Sequence, residues 1–191
     1  MPRAPQTARS ERTREALRQA ALVRFLAQGV EDTSAEQIAA DAGVSLRTFY
    51  RHFSSKHDLL FADYDAGLQW FRSALADRPA GEPIIESVQA AIFAFPYDVE
   101  AVTRIAALRA EELDPDRIVR HIRQVQADFA DAVAERLRAT TAGDQLRVAV
   151  TARCIAAAVF AAMEVWMLGA DRTLADLARM CRTALDALSD I

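Results

Sequence analysis

Residues 33–56 read TSAEQIAADAGVSLRTFYRHFSSK, and the fold follows from how this stretch is punctuated. Thr33 with Glu36, and Ser34 with Gln37, both have capping-box spacing, which predicts a helix opening at residue 33 or 34. Gly43 ends it, because a glycine tolerates the left-handed backbone that stops a helix. Ser45 then caps a second helix of barely two turns. Ala39 is small enough for two helices to cross closely, and Ile38, Val44 and Phe49 are the apolar positions of the resulting hairpin. Leu17 and Phe25, on a preceding helix expected over residues 10–28 and stopped by Gly29, would cover that small core.

What remains outward on the second short helix is Leu46, Arg47, Thr48, Tyr50, Arg51 and His52. These are side chains suited to DNA: an arginine pairs with guanine edges, a threonine or leucine meets a thymine methyl, and tyrosine or histidine reaches phosphate or base. Lys56 adds charge beside the start of the next helix, where phosphate is already attracted. A helical hairpin with a merely solvated basic face is the simpler alternative. Against it stands the combined pattern I-A-x-x-A-G-V-S followed by T-F-Y-x-H-F-x-S-K, over residues 38–45 and 48–56.

Charge is divided along the chain. The net charge is −4, yet residues 1–60 carry nine basic and seven acidic side chains, and residues 61–191 carry fourteen and twenty. A basic end on an acidic body suits a protein that touches phosphate with one end only, and on charge alone it suits an ordinary solvated arm equally well. Apolar residues make up 52% of the 191, with only six Gly and six Pro, so an all-α class with ample core is expected. About nine helices follow from the periodicity, with residues 1–9 expected outside them. Residues 54–77 are expected to form one long helix striped by Leu60, Tyr64, Leu68, Phe71 and Leu75. Pro79, Gly81 and Pro83 break the chain before helices over residues 84–95 and 98–112. Three more are expected: one that carries Pro115 at its first position and is separated by Gly143 from the next, over residues 144–168, and a last one from a cap at Thr173 to near Leu188. The expected division is an N-terminal arm and helix-turn-helix over residues 1–55, then a sensing and dimerisation domain over residues 56–191.

No secretory signal is evident, and the longest apolar run, residues 155–169, reads as too short for a membrane span and contains Glu164. The expectation is a cytoplasmic protein without membrane partners. Cys154 and Cys181 lack metal or redox spacing. The three histidines form no ligand cluster, and no Gly-rich phosphate loop or nucleophile–base signature occurs, so neither an enzyme nor a cofactor is expected.

Over residues 14–60 the sequence resembles the N-terminal domain of TetR-family transcriptional regulators, including the pattern A-L-x-x-A-A-x-x-x-F of residues 16–25 and the closing Gly29. The resemblance implies an all-α homodimer on a palindromic operator in double-stranded DNA, acting as a repressor released by a small molecule. Carried over by position, Thr33, Ser34, Tyr50 and Lys56 would contact phosphate. Leu46, Arg47, Thr48 and His52 would face bases, with Ser45 and Arg51 beside them. Arg9, Arg12 and Arg14 would reach phosphates or the minor groove.

The remaining apolar residues suggest where a ligand and a second subunit would sit. Trp70, Phe71, Phe93, Phe95, Tyr97, Phe129, Phe160, Met163, Trp166 and Met167 are candidate pocket residues for an apolar or aromatic ligand, with His121 and Glu164 as possible polar contacts. Taken singly, each is better explained by the core or, for His121, by the exposed surface. The helix over residues 144–168 is apolar nearly all round, so it is either central or shared. Cys154, Ala158, Ala161 and Val165 on it, with Leu177, Cys181 and Leu185 on the last helix, are the expected dimer interface. The alternative to a ligand-responsive repressor is a DNA-binding regulator controlled by a protein partner or by its own concentration.

Overall fold

The computed structural model describes residues 5–94, 99–140, 144–168 and 173–188. Among them are nine α-helices and one 3-10 helix, and no strand. The helices are α1 (Pro5–Gln28), α2 (Ala35–Asp41), α3 (Leu46–His52), α4 (Ala62–Ala76), α5 (Ile84–Phe93), α6 (Val99–Glu112), α7 (Pro115–Thr140), α8 (Gln145–Leu168) and α9 (Leu174–Asp186), with the 3-10 helix at Lys56–Phe61. The chain divides into two compact units, residues 1–63 with 100–118, and residues 64–99 with 119–191.

In the first unit, Leu17, Ala21 and Phe25 recur every four residues on α1 and are buried, as are Ile38 and Phe49. Arg24 on α1 forms a fork with Asp41 on α2, its Nη2 donating to Oδ1 at 3.0 Å, and this bond holds the Asp41 carboxyl below the usual range. α1 begins at Pro5 rather than near Ser10. Proline is accommodated at a first helical position, and the Arg- and Glu-rich run after it contains nothing that stops a helix.

The long helix expected over residues 54–77 is instead broken. Asp58 Oδ2 accepts from the backbone N–H of Ser54 at 2.9 Å and of Ser55 at 3.0 Å. That cap opens a tight 3-10 turn, and regular α-helix resumes only at Ala62. Nor does the chain divide at residue 55. Arg109 of α6 is 3% exposed, donates to the Leu60 carbonyl at 2.8 Å and to Asp63 Oδ1 at 2.6 Å, and lies over the Phe61 ring. Arg117 adds an ion pair to Asp58 at 2.7 Å. Charged, directional contacts of this kind place residues 100–118 with the first unit.

The second unit is a helical bundle whose core joins Phe71 and Leu75 of α4, Val88 and Ile92 of α5, Phe129 and Val133 of α7, and Ile155 and Val159 of α8. α9 lies along α8, its Leu177 and Cys181 against Ala162 and Trp166. Burial of each large apolar side chain contributes roughly 1.5–3 kcal/mol. At the α4–α5 turn, Glu82 accepts from Arg78 and, at 2.6 Å, from Ser87, while Arg136 of α7 donates to the Arg78 carbonyl at 2.8 Å. α8, at 24 residues with mean hydropathy 1.8 in its most apolar window, is long and apolar enough to cross a membrane, contrary to the reading of residues 155–169. Its inner face, including Ile155, Val159 and Trp166, belongs to the bundle core, so its apolarity has an explanation within the fold.

Candidate nucleic-acid interface

α2, the turn and α3 fix the outward side chains through hydrogen bonds the sequence supplies locally. Ser34 Oγ accepts from Gln37 N–H at 3.2 Å and the Gln37 side chain accepts from Ser34 N–H at 2.8 Å, a complete capping box. Gly43 takes φ +66°, in the left-handed region. A Cβ there would meet nothing within 4 Å, so the demand for glycine is conformational rather than steric. Val44 N–H then donates to the Ala39 carbonyl at 2.9 Å, and Ser45 Oγ accepts from Thr48 N–H at 3.2 Å to start α3. Ser34 keeps its own hydroxyl proton for an outside acceptor, since a hydroxyl donates as well as accepts.

Phe49 points inward at 0% exposure and anchors α3, with the Tyr50 ring edge-on at 5.2 Å. The opposite face presents Arg47, Tyr50 and Arg51 to solvent, with Leu46 and Thr48 partly exposed. A concave groove of about 670 Å³ runs beside it, lined by Arg9, Ser10 and Thr13 of α1, Gly43 and Val44 of the turn, and Thr48 and Arg51 of α3.

Three residues expected at this interface have other roles. Thr33 is 1% exposed and its hydroxyl donates to the Gly29 carbonyl at 2.7 Å, closing the α1–α2 turn, so Ser34 alone is the cap. Lys56 Nζ donates to the carbonyls of Val30 and Glu31 at 2.7 and 3.0 Å, a brace rather than an outstretched cation. His52 buries its Nε2, which has no hydrogen-bond partner among the described residues. Burial first, then the nearby Arg51 and Arg14, holds its imidazole below the ordinary range and therefore uncharged at neutral pH.

Most basic residues of the first unit are committed within the chain. Arg18 pairs with Glu15, Arg24 with Asp41, Arg109 with Asp63 and Arg117 with Asp58, and the Arg14 guanidinium lies over the Phe53 ring at 5.2 Å. Arg9, Arg47 and Arg51, by contrast, have no partner among the described residues. All three line the groove or the adjoining notch on α3. In the sequence these arginines look alike; only the packing separates spent charges from available ones.

The candidate ligand residues of the second unit are brought together only in part. Phe71 stacks on Phe129 with ring centroids 4.0 Å apart, and Phe160 meets Phe129 edge-on at 5.9 Å. Phe93 and Met163 pack on the same core, and Met167 packs beside Trp166, whose Nε1 donates to the Thr173 carbonyl at 3.0 Å. His121 lies next to Tyr64, its Nε2 4.0 Å from Asp65 Oδ1. Trp70 and Glu164 are exposed and do not join this cluster, because α4 and α8 turn those positions away from the core. Phe95 and Tyr97 lie outside the described residues.

The expected dimer residues also separate. Leu177, Cys181 and Leu185 are buried within the chain's own bundle, where burial pushes the Cys181 thiol up to about 11. They are therefore core, not surface. Ala158 is half-buried, while Cys154, Ala161 and Val165 are exposed on α8.

Comparison with known proteins agrees with this geometry. Residues 17–62 match the model of bacterial regulatory proteins of the tetR family. The HTH-type transcriptional regulator TcmR of Streptomyces glaucescens is 33% identical over 189 residues, covering 93% of this chain and 83% of its own. Among solved structures, the FadR repressor of Thermus thermophilus, in complex with lauroyl-CoA, superposes with TM-score 0.56 at 24% identity over 92% of this chain and 93% of that one. SmeT, repressor of a multidrug efflux pump of Stenotrophomonas maltophilia, gives 0.55 at 22% identity over 91% and 87%. With its capped helix-turn-helix, its all-α bundle and a relative alike over nearly its whole length, the chain belongs to the TetR family of DNA-binding transcriptional regulators.

Proposed function

We propose that this regulator is a homodimeric repressor that places α3 of each subunit in the major groove of a palindromic operator and is released by a small apolar or aromatic ligand. The observation that carries the DNA half is the concentration of uncommitted guanidinium groups, Arg9, Arg47 and Arg51, on one face of the first unit. Arg47 is the base reader, Leu46 and Thr48 meet apolar base edges, and Ser34, Ser45, Tyr50 and Arg51 hold phosphate. Such a protein acts where DNA is, in the cytoplasm.

The dimer half rests on α8. Leu146, Val150, Val165 and Leu168 are 69, 52, 58 and 81% exposed, and with Cys154, Ala157 and Ala161 they form a stripe at spacings of three and four. An uncovered apolar stripe of that length on a helix is costly in water and suits a second copy across a two-fold axis. The ligand half rests on the aromatic cluster of Phe71, Phe129 and Phe160, and on the small-molecule ligands of two proteins of like fold, lauroyl-CoA for FadR and triclosan for SmeT. Release requires only that the ligand bind the DNA-free shape better than the DNA-bound one.

Selection of bound duplexes from random DNA tests the first half directly, with a palindrome expected. On the selected operator, Arg47→Ala is expected to cost about 1–3 kcal/mol and relax preference at one position per half-site. Unchanged selectivity would make Arg47 a positioning residue. Stabilisation of the protein by apolar compounds that also release the operator tests the second half; the absence of any such compound favours control by a protein partner or by concentration.

A further inference from the structure

We infer that α8 pairs antiparallel with α8 of a second copy in one register, fixed by two reciprocal ion pairs between Arg153 and Glu164, and that these pairs decide which helix is accepted as a partner. This rests on the homodimer reading and adds to it what selects the partner. Arg153 and Glu164 are both exposed on α8, and neither has a partner among the described residues. They stand eleven residues apart. That is about three helical turns, so they lie on one face yet roughly 16 Å from each other, too far to meet within one helix. The face they share is the exposed apolar stripe, with Val150, Ala157, Ala161 and Leu168. Two opposite charges are thus set into the surface that a second copy would cover.

Symmetry turns this pattern into a register. A two-fold axis perpendicular to α8 lays the helix against its own copy running the other way, and every contact then occurs twice. With the axis between Ala157 and Ala161, Arg153 faces Glu164 of the partner subunit, and Glu164 faces Arg153 of the partner subunit. The same placement sets Ala157 against Ala161 of the partner subunit, where small side chains permit close approach, and Val150 against Leu168 of the partner subunit. Cation meets anion, small meets small and apolar meets apolar in one arrangement. Sliding α8 by a turn would instead press each charge onto an apolar side chain, a desolvation that nothing offsets. A parallel pairing would set arginine on arginine and glutamate on glutamate. Polar residues within an apolar seam commonly fix register in this way, and they reject a similar apolar helix that lacks the opposite charges.

The test is charge reversal in the full-length protein, read by sedimentation. Arg153→Glu and Glu164→Arg should each turn two attractions into two repulsions and raise the dimer dissociation constant on the order of a hundredfold. The double exchange, Arg153→Glu with Glu164→Arg, should restore it to near the wild-type value. An equimolar mixture of the two single variants should form the heterodimer in preference to either homodimer, because the mixed pairing again sets opposite charges together at both contacts; native mass spectrometry separates the three species. Added salt should weaken the wild-type dimer and strengthen those of the single variants. Circular dichroism should be unchanged throughout, because both side chains are exposed. A wild-type dimer indifferent to both reversals overturns the inference, as do folded single variants that neither the double exchange nor mixing rescues; the homodimer reading survives either result. A wild type that stays monomeric at every concentration overturns the homodimer reading and this inference with it.

Discussion

Replacing Arg109 by Met should destabilise the first unit more than any change at its surface. The guanidinium is 3% exposed, is paired with Asp63 at 2.6 Å, donates to the Leu60 carbonyl at 2.8 Å and covers Phe61 at 5.5 Å. Methionine fills much of the same volume, so the loss is chiefly electrostatic. It leaves a buried carbonyl without this donor and a carboxylate, itself only 20% exposed, without its cation. Breaking a buried pair from one side costs about 3–5 kcal/mol, and the partial exposure of Asp63 brings the expectation here to about 3. That is about a hundredfold in the folding equilibrium. Urea unfolding measures the total, and hydrogen exchange locates it: protection should fall across residues 5–63 and 103–118 together. Arg109→Lys keeps the charge but not the fork and should fall between. A double-mutant cycle with Asp63→Asn should return a coupling of about 1–3 kcal/mol. A loss below about 1 kcal/mol, or one felt only in α8 and α9, would refute the assignment of α6 to the DNA-binding unit.

Two further outcomes follow from the second unit. Glu82 is held down to about 2 by hydrogen bonds from Arg78 and Ser87, against an ordinary value of 4.5. Its folded-state pKa is depressed, so the stability it contributes is complete above the unfolded value and is lost as pH falls from about 4.5 towards 2. Melting curves of wild type and Glu82→Gln should differ at neutral pH and converge over that window; parallel curves would show the clasp to be energetically silent. Val165→Glu, at a position 58% exposed in the chain, should leave the helical content intact while sedimentation shifts from dimer to monomer and operator affinity collapses. A retained dimer would place the interface elsewhere.

The local signals in the sequence are legible where one residue type answers one backbone need. Ser34 with Gln37, Gly43 at φ +66° and Ser45 each announce a cap or a stop, and α2 and α3 follow from them. Leu17, Ala21 and Phe25 likewise reveal a buried face through their period alone. Period is silent, however, about which neighbour covers a stripe. Leu177, Cys181 and Leu185 are apolar at the right spacing for a subunit interface, yet the same spacing serves the chain's own α8–α9 packing, and that is where they lie. The 3-10 turn at Lys56–Phe61 was equally hidden, since Ser54, Ser55 and Asp58 would cap an α-helix just as well.

The charged residues carry the sharper lesson, because their role depends on partners distant in sequence. Lys56 reads as a phosphate contact until Val30 and Glu31, more than twenty residues earlier, are found to hold its ammonium. Arg109, in a run of ALRAEE, has nothing near it in sequence to announce the contacts with Leu60 and Asp63. Each cation satisfied inside the chain is removed from the set that can attract phosphate, since a guanidinium already forked to a carboxylate presents little net field. What distinguishes the DNA-facing surface is therefore not where basic residues occur but where they are left over. By that criterion the net charge of the whole chain is uninformative, and the surface proposed to meet DNA is the one where Arg9, Arg47 and Arg51 are left over, with the hydroxyls between them.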